Sequence, residues 1–172
     1  LLPGDFILAY RLPFGIHAAG IHLGGRLPSR GEVVVFRCPQ NNKNFCVKRV
    51  VGLPGDRIQI VKKRLYVNGN VADYKSLGRV PEGLLFEEKF PRFRQEIIIA
   101  EEGGSLDTPV TVVPPNQVYV LSDSRDVGED SRNWGPVPVS LLQARVLLVW
   151  MSFDWKGQGF DIRWNRLFSA VH

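Results

Sequence analysis

Lys48 and Arg49 stand side by side inside an apolar run, Phe45-Cys46-Val47-Lys48-Arg49-Val50-Val51, that ends in Gly52-Leu53-Pro54-Gly55-Asp56. The run has strand character, and in a strand successive side chains face opposite ways. Cys46, Lys48 and Val50 then share one face, and Val47, Arg49 and Val51 the other, so one basic group points toward the core. Burial disfavours an ammonium, and a lysine depressed toward neutrality gives up about 4 kcal/mol relative to its exposed state. Such an amine serves as a general base near neutral pH. An edge strand with both side chains reaching out to water is the plainer reading of this segment taken alone.

A second chemical cluster follows the apolar stretch Gln117 to Leu121. Between Asp123 and Arg132 six of ten residues are charged. Asp123, Arg125, Asp126, Asp130 and Arg132 have the composition of a mutually neutralising network that fixes a loop; a solvated turn is the other reading. Other chemistries find little support. His17, His22 and His172 lack metal-ligand spacing, and His17 and His22 read as solvated loop residues in a Gly- and Ala-rich stretch. No phosphate-binding glycine motif occurs, so neither a metal nor another cofactor is expected. The net charge of +5 comes from 22 scattered Lys and Arg against 17 Asp and Glu. The densest basic group, Lys62-Lys63-Arg64, is too short for a nucleic-acid tract, and nucleic acid is not an expected partner.

The elements that must position these residues are strands. Phe6 to Tyr10, Glu32 to Arg37, Phe45 to Val51, Ile58 to Val61, Leu65 to Val67, Glu96 to Ala100, Val110 to Val113, Gln117 to Leu121 and Val146 to Trp150 are short runs rich in Val, Ile and aromatics, with Gly, Pro, Asn and Asp between them. Asn68-Gly69 between apolar flanks predicts a hairpin. Only Ser140 to Ala144 reads as a helical turn, with Ser140 as its cap. With 12 Pro and 17 Gly among 172 residues, a mostly β fold is predicted. Residues 75–108 are more charged and less regularly alternating, and read as an inserted cap region; 1–74 and 109–172 then form the β core. Cys38 and Cys46 flank a polar turn. A cross-strand disulfide is one reading, but free thiols are expected, since nothing in the sequence fixes the register. No stretch reaches the roughly 18 apolar residues of a membrane helix.

Taken together, the two clusters resemble the bacterial type I signal peptidase (leader peptidase) family of Ser/Lys-dyad proteases. Lys48 to Asp56 is similar to its Lys-Arg-x-Val-Gly-Leu-Pro-Gly-Asp motif. Ser122 to Gly135 is similar to its Gly-Asp-Asn-Arg-Asp-Asn-Ser-x-Asp-Ser-Arg-x-Trp-Gly motif. Arg30 to Phe36 resembles a third block, Leu1-Leu2-Pro3-Gly4-Asp5 the close of the serine motif, and Trp150 to Asp154 the family's tail. The resemblance implies a coiled antiparallel β-sheet or barrel core with an inserted β-rich cap. It also implies an endopeptidase that removes signal peptides from secretory preproteins after a small-x-small motif. Lys48 is the implied general base, and the serine nucleophile is expected just upstream of Leu1, the chain reading as a fragment because it begins without Met.

By the same resemblance Arg49 pairs with Asp123 and Asp130 with Arg132, with Ser122, Ser124, Arg125 and Ser131 as supporting residues. Leu1, Ile7, Cys46 and Val47 fall where the family lines its shallow substrate pockets. The family's lysine-orienting Ser is Gly128 here, and its leading Gly is Ser122, so the hydroxyl of Ser122 or Ser124 is the expected substitute. The family implies an N-terminal anchor and a catalytic domain on the outer face of the inner membrane. Trp150, Trp155, Trp164 and Phe168, with Lys156, Arg163 and Arg166, are candidates for contact with lipid. The alternatives are an inactive signal-peptide-binding relative and a conjugation-type maturation protease.

Overall fold

The computed structural model describes residues 4–11, 16–18, 21–23, 25–91, 93–101, 107–156 and 159–171. In chain order the strands are β1 (Asp5–Tyr10), β2 (Ile16–Ala18), β3 (Ile21–Leu23), β4 (Val33–Cys38), β5 (Asn41–Gly52) and β6 (Arg57–Val61). Then come β7 (Arg64–Val67), β8 (Asn70–Val71), β9 (Asp73–Val80), β10 (Gly83–Phe90), β11 (Phe93–Ile99) and β12 (Thr111–Val112). The last are β13 (Gln117–Leu121), a single helical turn α1 (Ser131–Trp134), β14 (Val137–Pro138), β15 (Leu142–Lys156), β16 (Gly159–Ile162) and β17 (Ser169–Ala170). All named strand pairs are antiparallel.

The main sheet runs β1-β15-β4-β5-β13-β14, with β16 and β17 also on β15. Among the described residues this path is open, not a closed barrel. Strand β5 lies inside it, and its Val50–Val51 end is covered on both faces. Val50 packs with Val34, Phe36 and Val120 on one side, and Val51 packs with Ile58, Leu65 and Tyr119 on the other. A Cβ at Gly52 would come within 2.8 Å of the Ile58 and Tyr119 side chains, so the strand end passes where only a glycine fits. The edge-strand reading of Lys48 is thereby overturned, because β4 and β13 flank the strand.

Residues 73–99 form a separate sheet of order β11-β10-β9. Two of its strands, β9 and β10, escape the sequence pattern because Lys75, Arg79, Glu87 and Lys89 mask the alternation. The sheet is not isolated: Ile98 N–H donates to Asp123 O (2.9 Å) and Arg125 N–H to Ile98 O (2.9 Å).

Three expectations are corrected. Ser140 to Ala144 is no capped helix: a 3₁₀ turn covers Val139–Leu141 and then β15 begins. Leu142 pairs with Phe36 and is buried, so sheet pairing and core packing outweigh the Ser cap. Helical structure falls at α1, capped by Asp130. His17 and His22 lie not in a loop but opposite each other in the β2–β3 hairpin, where Ile16, Ile21 and Leu23 supply strand-forming neighbours. Cys38 and Cys46 are joined as a disulfide, with Cα atoms 5.3 Å apart. Cys46 opposes Phe36, Cys38 lies two residues further along the same strand, and a register shift after Arg37 brings the two cysteines together. Protein purified without reductant is therefore expected to show no alkylatable thiol, and two after denaturation and reduction. Replacing both cysteines by Ser should lower stability by about 2–3 kcal/mol in urea unfolding, as closure of so short a loop implies.

Candidate active site

Strand β5 presents Lys48 opposite Val34 of β4, two residues before the buried Val50. The lysine is half-buried, and its Nζ donates to Ser122 Oγ at 2.5 Å. Burial lowers its pKa below the ordinary lysine value. The nearby Asp130, Asp123 and Glu129 push back toward the charged form, while the Arg132 guanidinium reinforces the lowering.

Ser122 is held at both ends of its backbone. Its N–H donates to Asp130 Oδ2 (2.9 Å) and its carbonyl accepts from Arg125 Nε (3.1 Å). Asp130 is fully buried and does several things at once. It caps α1 by accepting from Arg132 N–H (3.1 Å) and takes the Arg132 side chain through Nε and Nη2, both at 2.8 Å. Ser131 Oγ accepts from Val120 N–H (3.0 Å), which ties α1 to β13. The Ser122 hydroxyl thus starts from a backbone with little freedom.

Arg49 points to the opposite face and pairs with Asp123 through Nε (2.8 Å) and Nη2 (3.0 Å), while Nη1 donates to Gly31 O (2.8 Å). Burial alone would raise the Asp123 pKa, but neighbouring positive charge, the Arg49 guanidinium foremost, holds the carboxyl well below the usual range. Asp126 faces away and bonds Ala100 N–H (2.7 Å) and Lys63 Nζ (3.1 Å). Asp56, which ends the Lys48 motif, accepts from Leu53 N–H (2.6 Å), Asn68 Nδ2 (2.8 Å) and Arg30. That latch fastens the Arg30-Gly31 block to the end of β5.

Lys48, Ser122 and Ser124 open onto a cavity of about 180 Å³ whose other walls are Val33, Val47, Arg49, Asp123 and Val127. Of the expected pocket residues, Val47 lines this cavity. Cys46, in its disulfide, and Ile7, on β1, are not among the described lining residues, and Leu1 lies outside the described residues. Between the two candidate hydroxyls, Lys48 bonds that of Ser122; Ser124 lines the same cavity and bridges to Ile98. Gly128 has φ +94°, which disfavours a side chain, and a Cβ there would lie 3.4 Å from both Lys48 Nζ and Ser122 Oγ. Ser122 therefore delivers its hydroxyl beside the Gly128 position.

Of the aromatic candidates, Trp164 and Phe168 are 71% and 72% exposed, while the side chains of Trp155 and Lys156 lie outside the described residues. Arg166 is engaged by Asp5 (2.7 Å) and Arg163 by Ser152 Oγ (3.2 Å). An unexpected addition is the exposed stripe Phe6, Leu8, Tyr10 on β1. Sequence reading also missed Glu88, which is fully buried and holds Arg125. Its signal is present in Phe86-x-Glu88-x-Phe90, a carboxylate sharing a strand face with two aromatics.

A mostly antiparallel β fold carrying a desolvated lysine against a fixed hydroxyl in a small cavity has the equipment of a lysine-dependent acyl-transfer site. The family described as "Signal peptidase, peptidase S26" matches residues 1–151, and the chain belongs to it. Signal peptidase I of Buchnera aphidicola (subsp. Schizaphis graminum) is 30% identical over 91% of the chain and 65% of its own length. Signal peptidase I of Pseudomonas aeruginosa is 34% identical over 87% of the chain and 60% of its own length. The chain thus spans under two thirds of these curated relatives. A crystal structure of a signal peptidase I from Enterococcus faecalis is similar with TM-score 0.45 and 20% identity, over 69% of this chain and 96% of that one.

The Arg49–Asp123 pair has a definite pH signature. Because the folded-state pKa of Asp123 is depressed, its contribution is complete above the unfolded carboxylate value of about 4 and fades as pH falls below it. Asp123→Asn leaves Arg49 buried without its counter-charge, and should cost about 3–5 kcal/mol at pH 7. Urea unfolding from pH 7 to pH 3 should show the gap to the unsubstituted protein narrowing only below about pH 4.

Proposed function

We propose that this chain is the catalytic domain of a signal peptide-cleaving endopeptidase in which Lys48 is the general base. The observation that carries the proposal is the Lys48 amine, lowered by burial, bonded to the Ser122 hydroxyl at 2.5 Å in a cavity of small-residue size. In the full-length protein a serine hydroxyl from the segment before Leu1 gives its proton to neutral Lys48 as its oxygen attacks the scissile carbonyl. When the tetrahedral intermediate collapses, the leaving amine takes that proton and an acyl-enzyme remains. Lys48 then activates the water that hydrolyses it. By donating one N–H to Ser122, Lys48 keeps its lone pair in a fixed direction. Val33, Val47 and Val127 narrow the adjoining space, which favours small side chains by exclusion.

The proposed setting is the outer surface of the inner membrane. Trp164, Phe168 and Trp150, with Phe6, Leu8 and Tyr10, give the protein exposed apolar surface suited to a lipid interface. An inactive binder would gain nothing from a desolvated lysine, which favours the enzyme over that alternative.

The test uses the full-length protein and a preprotein substrate. Lys48→Ala should lower cleavage at least about 10²-fold, and Ser122→Ala should lower it by a smaller but clear factor while Ser124→Ala leaves it near the starting rate. Activity should rise with pH along a limb below the ordinary lysine pKa, as Lys48 loses its proton. Retained cleavage by Lys48→Ala would refute the assignment. Independently, Trp164→Ser with Phe168→Ser should reduce co-sedimentation with anionic vesicles; unchanged sedimentation would remove that surface from the membrane contact.

A further inference from the structure

Glu88 lies on β10 of the 73–99 sheet, far in sequence from either motif, yet it is completely buried. Each carboxylate oxygen takes two donors. Oε1 accepts from Tyr74 Oη and from Arg125 Nη1 (2.9 Å); Oε2 accepts from Gln95 Nε2 and from Arg125 Nη2 (2.6 Å). Four donors fill what a carboxylate has to offer. The two-point grip fixes the plane of the Arg125 guanidinium, and the remaining Nε then donates to Ser122 O at 3.1 Å. Ser122 in turn bears the hydroxyl that holds Lys48 Nζ. An unbroken line of hydrogen bonds therefore runs from the inserted sheet to the lysine: Glu88, Arg125, Ser122, Lys48.

The backbone follows the same route. Ile98 of β11 bonds Asp123 O and accepts from Arg125 N–H, so the loop is clamped to the inserted sheet on both sides of Ser124. A buried ion pair of this kind is a poor source of net stability, since desolvation offsets much of its attraction. What the fork supplies is position.

We infer that Glu88 is a positioning residue for the lysine base: through Arg125 it sets the Ser122 carbonyl, and with it the hydroxyl that orients Lys48. The inserted sheet is thereby part of the catalytic apparatus. This rests on the role proposed above for Lys48. Glu88→Gln replaces one accepting oxygen by an N–H₂ group and breaks the fork, which lets Ser122 drift while the apolar walls of the cavity, Val33, Val47 and Val127, stay in place.

The experiment is a double-mutant cycle in the full-length protein, with kcat and KM measured on a synthetic peptide bearing an Ala-x-Ala cleavage site. Glu88→Gln should lower kcat by about 10–100-fold, the scale expected when a reacting group is misplaced, with KM within about twofold. In a Ser122→Ala background the same substitution should lower kcat by no more than about twofold, because the link it acts through is already gone. A general structural defect would cost as much in one background as in the other. If Glu88→Gln melts below the assay temperature, Arg125→Lys, which keeps a cation for Glu88 but removes the Nε donor, enters the same cycle with the same expectation. Equal losses in both backgrounds, or a rise in KM with kcat unchanged, would overturn the inference. Cleavage surviving in Lys48→Ala would instead strike at the underlying mechanism, so the two failures are told apart.

Discussion

A lysine amine gains a usable lone pair near neutral pH only by losing water, and losing water is what the folded chain is least inclined to impose on it. The hydrogen bond from Lys48 Nζ to Ser122 Oγ is where that conflict is resolved. The hydroxyl accepts one N–H without offering charge, so it replaces part of the lost hydration and does not restore the ammonium. A carboxylate in its place would pull the amine back to the protonated form. The three acidic groups that raise the Lys48 pKa, Asp130, Asp123 and Glu129, do so from a distance, and the first two carry a guanidinium of their own.

Much of the remaining architecture follows from that requirement. The loop after β13 must bring a neutral acceptor to the lysine while burying several charges nearby, and each charge is answered in a different direction. Asp123 reaches Arg49, the residue next to Lys48 on its own strand, Asp130 reaches Arg132 within the α1 turn, and Arg125 reaches Glu88 in the 73–99 sheet. These are three separate anchorages for one loop: to the Lys48 strand, to itself and to the 73–99 sheet. Side-chain exposure is 9% and 0% for the second pair and 5% and 0% for the third, too low for water to substitute for either member, while in the first pair Asp123, at 15%, also faces the cavity. In the Asp130–Arg132 and Arg125–Glu88 pairs, removing one member takes the counter-charge from a deeply buried group, which is costly.

The residues that make local patterns were readable from sequence. Lys48 in an apolar run, the Asp/Arg density after Leu121, the Asn-Gly hairpin and the pairing of Arg49 with Asp123 all leave marks within a few positions or within a family motif. What was not readable depends on long-range register. Taken alone, the Lys48 segment reads more plainly as an edge strand, because only the arrival of β13, some 70 residues on, covers its second side. The disulfide needed a register shift beside Cys38 that no residue type announces. Glu88 was hidden for a related reason: flanked by Glu87 and Lys89 it reads as surface charge, and its burial is decided by Arg125, 37 positions away. The Ser140 cap misled because a good local signal lost to Leu142 packing in the sheet.

Where the motif this chain resembles has Gly and Ser, positions 122 and 128 carry Ser and Gly, and the two positions adjoin in space. Position 128 sits at φ +94° with Lys48 Nζ and Ser122 Oγ each 3.4 Å from any Cβ built there. A serine at 128 would have to pay for a left-handed backbone and share its space with a hydroxyl already bonded to the lysine. With Ser at 122 the acceptor is attached to the residue that Asp130 and Arg125 fix by its N–H and carbonyl, rather than to the exposed stretch between Val127 and Glu129. The hydroxyl that Lys48 meets is therefore attached at position 122 in this chain. Under the proposed mechanism, whatever holds the Ser122 backbone also holds the hydroxyl bonded to Lys48, and Arg125 connects that backbone to Glu88 of the 73–99 sheet.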